Sequence, residues 1–252
     1  MKKIIYILAI LFSTTVLAQN NSIFSIGNKL YNEGKYNEAI VKYESVLSSG
    51  QHSAELYFNL GNAHYKLNNI APSIYYYEKA LKLSPNDSDI KNNLAFAKNM
   101  TIDAIDVVPE VGFSRLIKNA TNIMSFDYWA ILSVAFVLVF VALFISYYFS
   151  QATSKKRIAF IISSFSLGFA FLTLLFAFNK YSLDKKDRPA IVFAKESQVK
   201  SEPNFRSEEA FKLHEGTKVH ILDSVNNWKK IKLSDGTIGW ISSEDIKALN
   251  KI

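Results

Sequence analysis

The sequence contains no cysteine among its 252 residues. This absence excludes a disulfide-stapled secreted module, Cys-ligated zinc, iron–sulfur centres and thiol catalysis. Charged residues are likewise missing from two long apolar runs, residues 128–149 and 158–178. Uncharged runs of this length are typical of membrane-spanning helices. A single water-soluble domain is therefore excluded.

The net charge of +7 is unevenly distributed along the chain. Residues 1–18 carry +2, residues 19–110 carry −2, residues 111–188 carry +6 and residues 189–252 carry +1. Nucleic-acid binding would require a basic face on a soluble domain, and neither soluble segment has that excess. The basic residues instead flank the apolar runs, which predicts a membrane protein without a nucleic-acid partner.

The N-terminus has the three parts of an export signal. Lys2 and Lys3 precede an apolar stretch, residues 4–12, and Ala18 supplies the small residue at which signal peptidase cleaves. We therefore predict a signal peptide over residues 1–18, cleaved before Gln19. An uncleaved anchor is the alternative, although the apolar stretch is short for a membrane span. With cleavage, the first soluble domain is expected outside the cytoplasm.

The sequence of residues 22–100 is similar to a copy of itself shifted by 34 positions. The matching pairs are Ile23/Tyr57, Phe24/Phe58, Gly27/Gly61, Asn28/Asn62, Tyr31/Tyr65, Ala39/Ser73, Tyr43/Tyr77 and Leu47/Leu81. A period of 34 with small residues at fixed places is the tetratricopeptide (TPR) signature, a solenoid of helix pairs. We expect each helix pair to make its close contact between the glycine of the first helix and the small residue of the second.

The repeat region is predicted to cover residues 19–105. Pro85 ends the second helix of the second repeat, because proline cannot continue a helical ladder. Another helix, from about Ser88 to Lys98, begins a third repeat that is not completed. It is expected to cap the open apolar end of the array, because a repeat cannot bury its apolar face alone.

The resemblance to TPR proteins implies a protein-binding groove lined by the first helix of each pair. The corresponding positions in this sequence are Phe24, Asn28, Tyr31, Glu55, Phe58, Asn62 and Tyr65. Alternatively, the aromatic residues only pack neighbouring helices. The two asparagines favour a groove, because a buried amide requires hydrogen-bond partners. They also resemble a TPR clamp for a C-terminal carboxylate, which has a lysine at the position of Phe24.

The two apolar runs predict a transmembrane hairpin. Helices over residues 128–149 and 158–178 are each about 30 Å long, which matches the hydrocarbon layer. The connecting loop, residues 150–157, carries three basic residues and is predicted to be cytoplasmic. Both soluble domains then lie in the periplasm. Basic residues at 180–188 argue for the opposite orientation, but the export signal agrees with the first.

Three further features surround the hairpin. Ser164 and Gly168 form a small-xxx-small pair that is expected to let the two helices approach closely, or else faces lipid. Within the juxtamembrane segment 106–127, residues 113–127 are either an interfacial amphipathic helix or a plain linker. Residues 179–189 are interpreted as a linker.

Residues 190–252 predict a small all-β barrel that folds on its own. Strand-like runs are joined by turns at Asn226–Asn227 and Asp235–Gly236. The string ending in Gly239-Trp240-Ile241 resembles bacterial SH3 (SH3b) domains, which implies binding of peptides or cell-wall material. The candidate ligand residues are Asn204, Trp228, Asp235 and Trp240, although core packing is the more common role of a residue such as Trp240.

The order of these parts resembles the BatE family, TPR proteins of the Bat aerotolerance operon in Bacteroidetes-type bacteria. The stretch 92–97, together with Asp103 and Pro109, carries the most specific part of this resemblance. It implies an inner-membrane complex with von Willebrand A-type Bat proteins and, indirectly, a MoxR-type ATPase. A cell-wall tether or sensor that binds peptidoglycan through the SH3b domain is the alternative.

Catalysis is not expected from this sequence. None of the four histidines lies in a nucleophile or metal-ligand motif, and no glycine-rich loop is present to hold a phosphate. We therefore expect a non-catalytic envelope scaffold without a metal or another cofactor.

The predicted topology can be tested with single cysteines, because the chain has none of its own. Cysteine at Ser201 should react with an impermeant maleimide in intact spheroplasts, whereas cysteine at Thr153 should react only after lysis. The reverse pattern of labelling would invert the topology.

Overall fold

The computed structural model describes residues 23–106 and 112–249, and the predicted signal peptide lies outside these residues. Two compact units are present. Among the described residues, the first combines residues 23–106 with residues 188–249, and the second covers residues 112–187. The helices and strands of each unit are given in turn below.

From residue 23 onward, the described part of the predicted TPR region contains five helices. Residues 23–32 form α1, followed by α2 (Tyr36–Ser48), α3 (Ala54–Lys66), α4 (Ile70–Leu83) and α5 (Ser88–Lys98). Ser53 caps α3 by accepting a hydrogen bond from the amide of Leu56, and Asp87 caps α5. Helix α4 ends two residues before Pro85, as predicted.

The close contact within each helix pair differs partly from the prediction. A Cβ on Gly61 would lie 2.6 Å from the Tyr77 ring, and a Cβ on Gly27 would lie 2.6 Å from the Tyr43 ring. Glycine is therefore required because a tyrosine ring, rather than a small side chain, lies against it. The predicted small residue does make contact in the second repeat, where the Ser73 hydroxyl donates to the Gly61 carbonyl over 3.0 Å.

The C-terminal part of the first unit is a seven-stranded antiparallel sheet. Its strands are β1 (Pro189–Val192), β2 (Glu196–Lys200), β3 (Glu209–His214), β4 (Lys218–Val225), β5 (Trp228–Lys232), β6 (Ile238–Ser242) and β7 (Ile246–Ala248). The order is β3-β2-β6-β5-β4-β1-β7. The predicted strand-like run from Ala190 is two strands, because the chain leaves the sheet between Val192 and Glu196. The all-β prediction is confirmed.

The barrel and the repeats share part of one hydrophobic core. Ile191 of β1 and Leu249 after β7 pack into the TPR core, at 0% and 2% exposure. The rings of Tyr75 and Phe193 meet edge to face, 5.6 Å apart, and the Lys247 ammonium lies 4.7 Å above the Tyr75 ring. The predicted separate module therefore forms one compact unit with the repeats.

Asp103 is the polar centre of this interface. Its carboxylate accepts hydrogen bonds from the backbone amide and Nδ1 of His214, each over 2.7 Å, and from the Thr217 hydroxyl over 2.5 Å. Burial alone would raise the pKa of Asp103, but these donors outweigh it and hold the pKa below its usual value. The ionised carboxylate thus fixes the segment after α5 against the start of the β3–β4 turn.

A second carboxylate, that of Glu78, forms ion pairs at the same interface. Glu78 of α4, with only 10% of its side chain exposed, pairs with Lys98 of α5 over 3.0 Å and with Lys218 of β4 over 2.6 Å. Burial tends to raise the pKa of Glu78, whereas the two ammonium groups lower it, and the net pKa is lowered. Helix α5 and the barrel are therefore tied to the same residue of α4.

In residues 112–187, the second unit contains three helices, α6 (Phe113–Thr121), α7 (Phe126–Phe149) and α8 (Thr153–Lys186). The two longer helices are long and apolar enough to cross a membrane. They extend beyond the predicted spans, because polar residues at both ends of the second run continue the helix. The turn between them is reduced to residues 150–152, and helix replaces most of the predicted linker.

The contact between α7 and α8 does not use the predicted small pair. A Cβ on Gly168 would meet no atom within 4 Å, and Ser164 is exposed. The pair instead lines an open apolar hollow of 370 Å³ on the outer side of α8.

Small residues on another face of α8 make the contact with α7. The buried residues are Ala159, Ser163, Ser166, Ala170, Thr173 and Ala177. Their alternating four- and three-residue spacing is that of a coiled-coil seam, and small side chains allow a close approach. Two hydroxyls bond across the seam, Ser133 to the Ala170 carbonyl and Ser166 to the Phe136 carbonyl.

We predict that Asp103→Asn destabilises the first unit by about 2 kcal/mol, because it removes the charge from three partly buried hydrogen bonds. The folded pKa lies below the ordinary value of 3.8. The stabilisation is therefore complete above that value and is lost as the pH falls through the lowered pKa. Thermal unfolding of the full chain in detergent, followed by tryptophan fluorescence at pH 7 and pH 3, measures both effects.

Asp106→Asn is the matched control, because Asp106 is exposed in the same segment. Equal unfolding of the two variants at pH 7 would contradict the role of Asp103.

Candidate functional site

A repeated hydrogen-bond network lies between the TPR helices. In the second repeat, the Asn62 carbonyl accepts from the Tyr77 hydroxyl over 2.6 Å and from the Asn93 amide over 2.8 Å. In the first, the Asn28 carbonyl accepts from the hydroxyl of Tyr43 over 2.9 Å and from the amide of Asn59 over 3.0 Å. Every member is 34 residues from its counterpart.

This network orients an amide in each repeat. Both hydrogen bonds go to the carbonyl oxygen of the central asparagine, so the Nδ2 group of Asn62 donates to no residue in the described part of the chain. Asn62 also lines the surface pocket described next. Its amide is therefore held in place by the fold and is available to a carbonyl oxygen from outside.

A polar and aromatic pocket of 220 Å³ surrounds Asn62. It is lined by residues of four helices, Tyr31, Asn62, Tyr65, Lys66, Tyr77, Asn93 and Phe96. Phe96 on α5 is 61% exposed, so its ring offers apolar surface at the edge of the pocket. Helix α5 is thus both the predicted cap and one wall of the pocket.

The seven predicted groove residues divide into three groups. Tyr31, Asn62 and Tyr65 line the pocket together. Asn28 occupies the equivalent network position in the first repeat. The other three are Phe24, Glu55 and Phe58, of which the phenylalanines are half-buried against Tyr43 and Tyr77 and the glutamate is exposed in the first turn of α3.

Sequence reasoning missed the residues that complete the pocket. Asn93 of the pocket and its counterpart Asn59 in the first network obey the same 34-residue shift that revealed the repeat, so comparing α5 with α3 in full would have found them. Lys66 and Phe96 have no such signal, because nothing in the repeat pattern separates an exposed aromatic residue from a packed one.

Burial affects the tyrosines of the network. It raises the pKa of Tyr43 to about 12, with smaller contributions from Tyr31 and Glu55, and raises the pKa of Tyr77 further. Both hydroxyls therefore stay protonated at physiological pH and keep donating to the asparagines.

A second candidate surface lies on the barrel. Trp240 is half-buried on the outer face of β6, because its neighbours Gly239 and Ile241 point into the core. Core packing is therefore not its role. Its cross-strand neighbours are Lys200 and Lys230, and the Lys230 ammonium lies 5.9 Å from the Trp240 ring centroid.

Phe205 and Trp228 extend this surface. Trp228, which is only 7% exposed, is paired with Ser242 and is thus the diagonal neighbour of Trp240, about 7 Å away between Cα atoms. The Phe205 ring covers Trp228 edge to face at 5.0 Å and is itself 81% exposed. We call Phe205, Trp228 and Trp240, with the two lysines, the aromatic face.

The four predicted SH3b residues do not converge at one point. Asn204 lies next to Phe205 in the chain and accepts a bond from the Arg206 amide, so it shapes the loop beside the aromatic face. Asp235 lies in the turn at the opposite end of the β5–β6 hairpin from Trp228, where it accepts a bond from the Thr237 amide. Phe205 was missed, although an isolated aromatic residue in a polar loop is a recognisable signal.

Family comparisons agree with both parts of the first unit. Residues 27–68 match the TPR repeat model and residues 54–87 match the tetratricopeptide repeat model. Residues 196–247 match the bacterial SH3 domain model. A comparison with curated proteins gives no match. TPR repeats indicate protein–protein interaction, and a bacterial SH3 domain indicates peptidoglycan binding at an envelope location.

We predict that Tyr77→Phe weakens the TPR region by about 1 kcal/mol, because it removes one neutral hydrogen bond and leaves the ring in place. Tyr65→Phe is the control, since no described residue bonds to the Tyr65 hydroxyl. Urea unfolding followed by helical circular dichroism compares the two. A loss as large in the control would show that the Asn62 network is not the cause.

Proposed function

We propose that this protein is a non-catalytic envelope scaffold that holds a partner protein in the TPR pocket around Asn62. The single observation that carries the proposal is the oriented amide of Asn62 in a pocket with an exposed aromatic residue. An asparagine amide recognises a peptide carbonyl, while Phe96 and Tyr65 offer apolar area to a side chain. This combination suits a segment of another protein better than a small polar metabolite.

The proposed location is the bacterial inner membrane, with two spans after signal cleavage and both soluble parts in the periplasm. The first unit is built from two chain segments, one on each side of the hairpin, and this supports the topology. Chain segments before and after the hairpin pack into a shared core, so they must lie on the same side of a membrane. An even number of spans meets that condition, and the basic residues near the turn favour a cytoplasmic turn.

The proposed partners are those of a Bat-type aerotolerance complex, which acts in oxidative stress. The order of signal peptide, TPR repeats, hairpin and SH3b domain supports this assignment through its resemblance to BatE proteins. The direct partners would be von Willebrand A-type membrane proteins, and a MoxR-type ATPase would interact with the protein indirectly.

A second function, tethering to the cell wall, is favoured by the aromatic face. The exposed Phe205 ring and the half-buried Trp240 ring, beside two lysines, suit the mixed apolar and acidic surface of peptidoglycan strands and their peptides. In this case the barrel, rather than the TPR pocket, would bind the ligand.

We predict that Asn62→Ala or Phe96→Ala weakens capture of envelope partners by about thirtyfold, the factor for a lost anchor of about 2 kcal/mol. Phe205→Ala, which removes a more exposed ring from the barrel, should leave capture unchanged. Quantitative pull-down from solubilised envelopes provides the first measurement, and sedimentation with purified sacculi provides the second.

The two functions give opposite results in this pair of assays. If only Phe205→Ala reduces binding, and only to sacculi, the protein is a tether. If no variant changes either assay although circular dichroism shows intact helices, both surfaces are excluded as binding sites.

A further inference from the structure

The short helix α6 carries basic and apolar residues on different sides. Arg115, Lys118 and Asn119 follow one side of the helix, and Leu116 and Ala120 follow the other at a spacing of four. Leu116 is 64% exposed, and Ile123 and Met124 just after the helix are 71% and 40% exposed. A connection through water would not retain three such side chains on its surface.

The end of α6 is fixed against the hairpin. The Trp129 indole donates to the Thr121 carbonyl over 3.0 Å and packs edge to face on Phe176 at 5.1 Å. The Lys180 ammonium donates to the Asn122 side chain over 3.0 Å. Both bonds reach helix positions near the open end of the hairpin, opposite the turn at residues 150–152. The exposed apolar residues are therefore held at the level of the first turns of α7.

This level corresponds to the boundary of the apolar layer. Tyr128 and Trp129 start the uncharged part of α7, and the last turns of α8 carry Lys180, Lys185 and Lys186. Aromatic and basic residues in these positions are typical of the headgroup region of a membrane. The apolar side of α6 is thus continuous with the lipid-facing surface of α7.

We propose that residues 115–124 lie in the outer headgroup layer of the membrane and bind anionic lipid phosphates through Arg115 and Lys118. The inference rests on the membrane location proposed above. Leu116, Ile123 and Met124 reach the upper acyl chains, and the two cations face the lipid phosphates. Lipid is the occupant chosen, because the apolar surface continues onto α7 and the charge complements phosphate.

Single spin labels in the full chain test this arrangement, since no native cysteine interferes. The protein is reconstituted in vesicles of phosphatidylcholine and phosphatidylglycerol. For each spin label, the frequency of collision with oxygen, which is enriched in the acyl chains, is compared with that of a nickel chelate, which stays in water. Labels replacing Leu116 and Ile123 should favour oxygen, whereas a label replacing Asn119 should favour nickel. Val137 in the middle of α7 provides the span control and Ser234 on the barrel the aqueous control.

The outcomes separate this inference from the membrane proposal. If Leu116 and Asn119 both favour nickel while Val137 favours oxygen, the segment is in water and the inference is overturned. If Leu116 is shielded from both reagents, protein covers it and the inference is overturned as well. If Val137 also favours nickel, the hairpin itself does not cross the membrane.

A second arm tests the charge component. Vesicles of phosphatidylcholine alone, or the double change Arg115→Gln and Lys118→Gln, should move the Leu116 label toward nickel, with about a fivefold loss of partitioning for each cation. Lys91→Gln, an exposed lysine of α5, is the control and should have no effect. No change in either condition would remove anionic lipid from the inference.

Discussion

The architecture of the first unit depends on two largely buried carboxylates that lie where the repeats meet the barrel. Asp103 collects three hydrogen bonds from the β3–β4 turn, and Glu78 pairs with one lysine of α5 and one of β4. A buried carboxylate without donors would be strongly unfavourable, so each interaction commits its partners to a fixed geometry. Around the two carboxylates, Ile191 and Leu249 add buried apolar surface to the interface.

This interface changes how a two-repeat array is stabilised. Two helix pairs and a cap bury little surface, and such an array alone should be marginally stable. Here the second helix of the second repeat is covered by β1 and the residues around Phe193, which leaves the pocket face of the array open. The barrel therefore completes the solenoid on one side, while a ligand can still reach Asn62.

Much of the fold was accessible from the sequence because its signals are periodic. The 34-residue repeat, the two uncharged runs and the turns of the barrel each follow from spacing alone. The requirement for Gly239, in contrast, comes from another strand, since a Cβ there would lie 2.4 Å from Val199 of β2. The sites were only partly accessible: Asn62 was found through the repeat, whereas Phe96 and Phe205 are functional candidates only because the fold leaves them exposed.

Contacts between distant segments were beyond sequence reasoning. No pattern links Asp103 to His214, 111 residues away, or Glu78 to Lys218, 140 residues away. The seam between α7 and α8 shows the same limit, because α8 has small residues on two faces and the small-xxx-small pair at Gly168 lies on the face that is not used. Which face packs is decided by the partner helix, through the hydroxyl of Ser133 and the carbonyl of Phe136.

The chain order gives the first unit an unusual path of assembly. Its two halves are separated by the 80 residues of the second unit, so the repeats emerge first and must wait for the barrel. Native pairing across more than a hundred residues requires closure of a long loop, which slows folding. Until then, Glu78 and the apolar side of α4 are exposed. A nascent chain halted after the hairpin would thus present this uncovered surface to envelope chaperones and proteases, and quality control could recognise it.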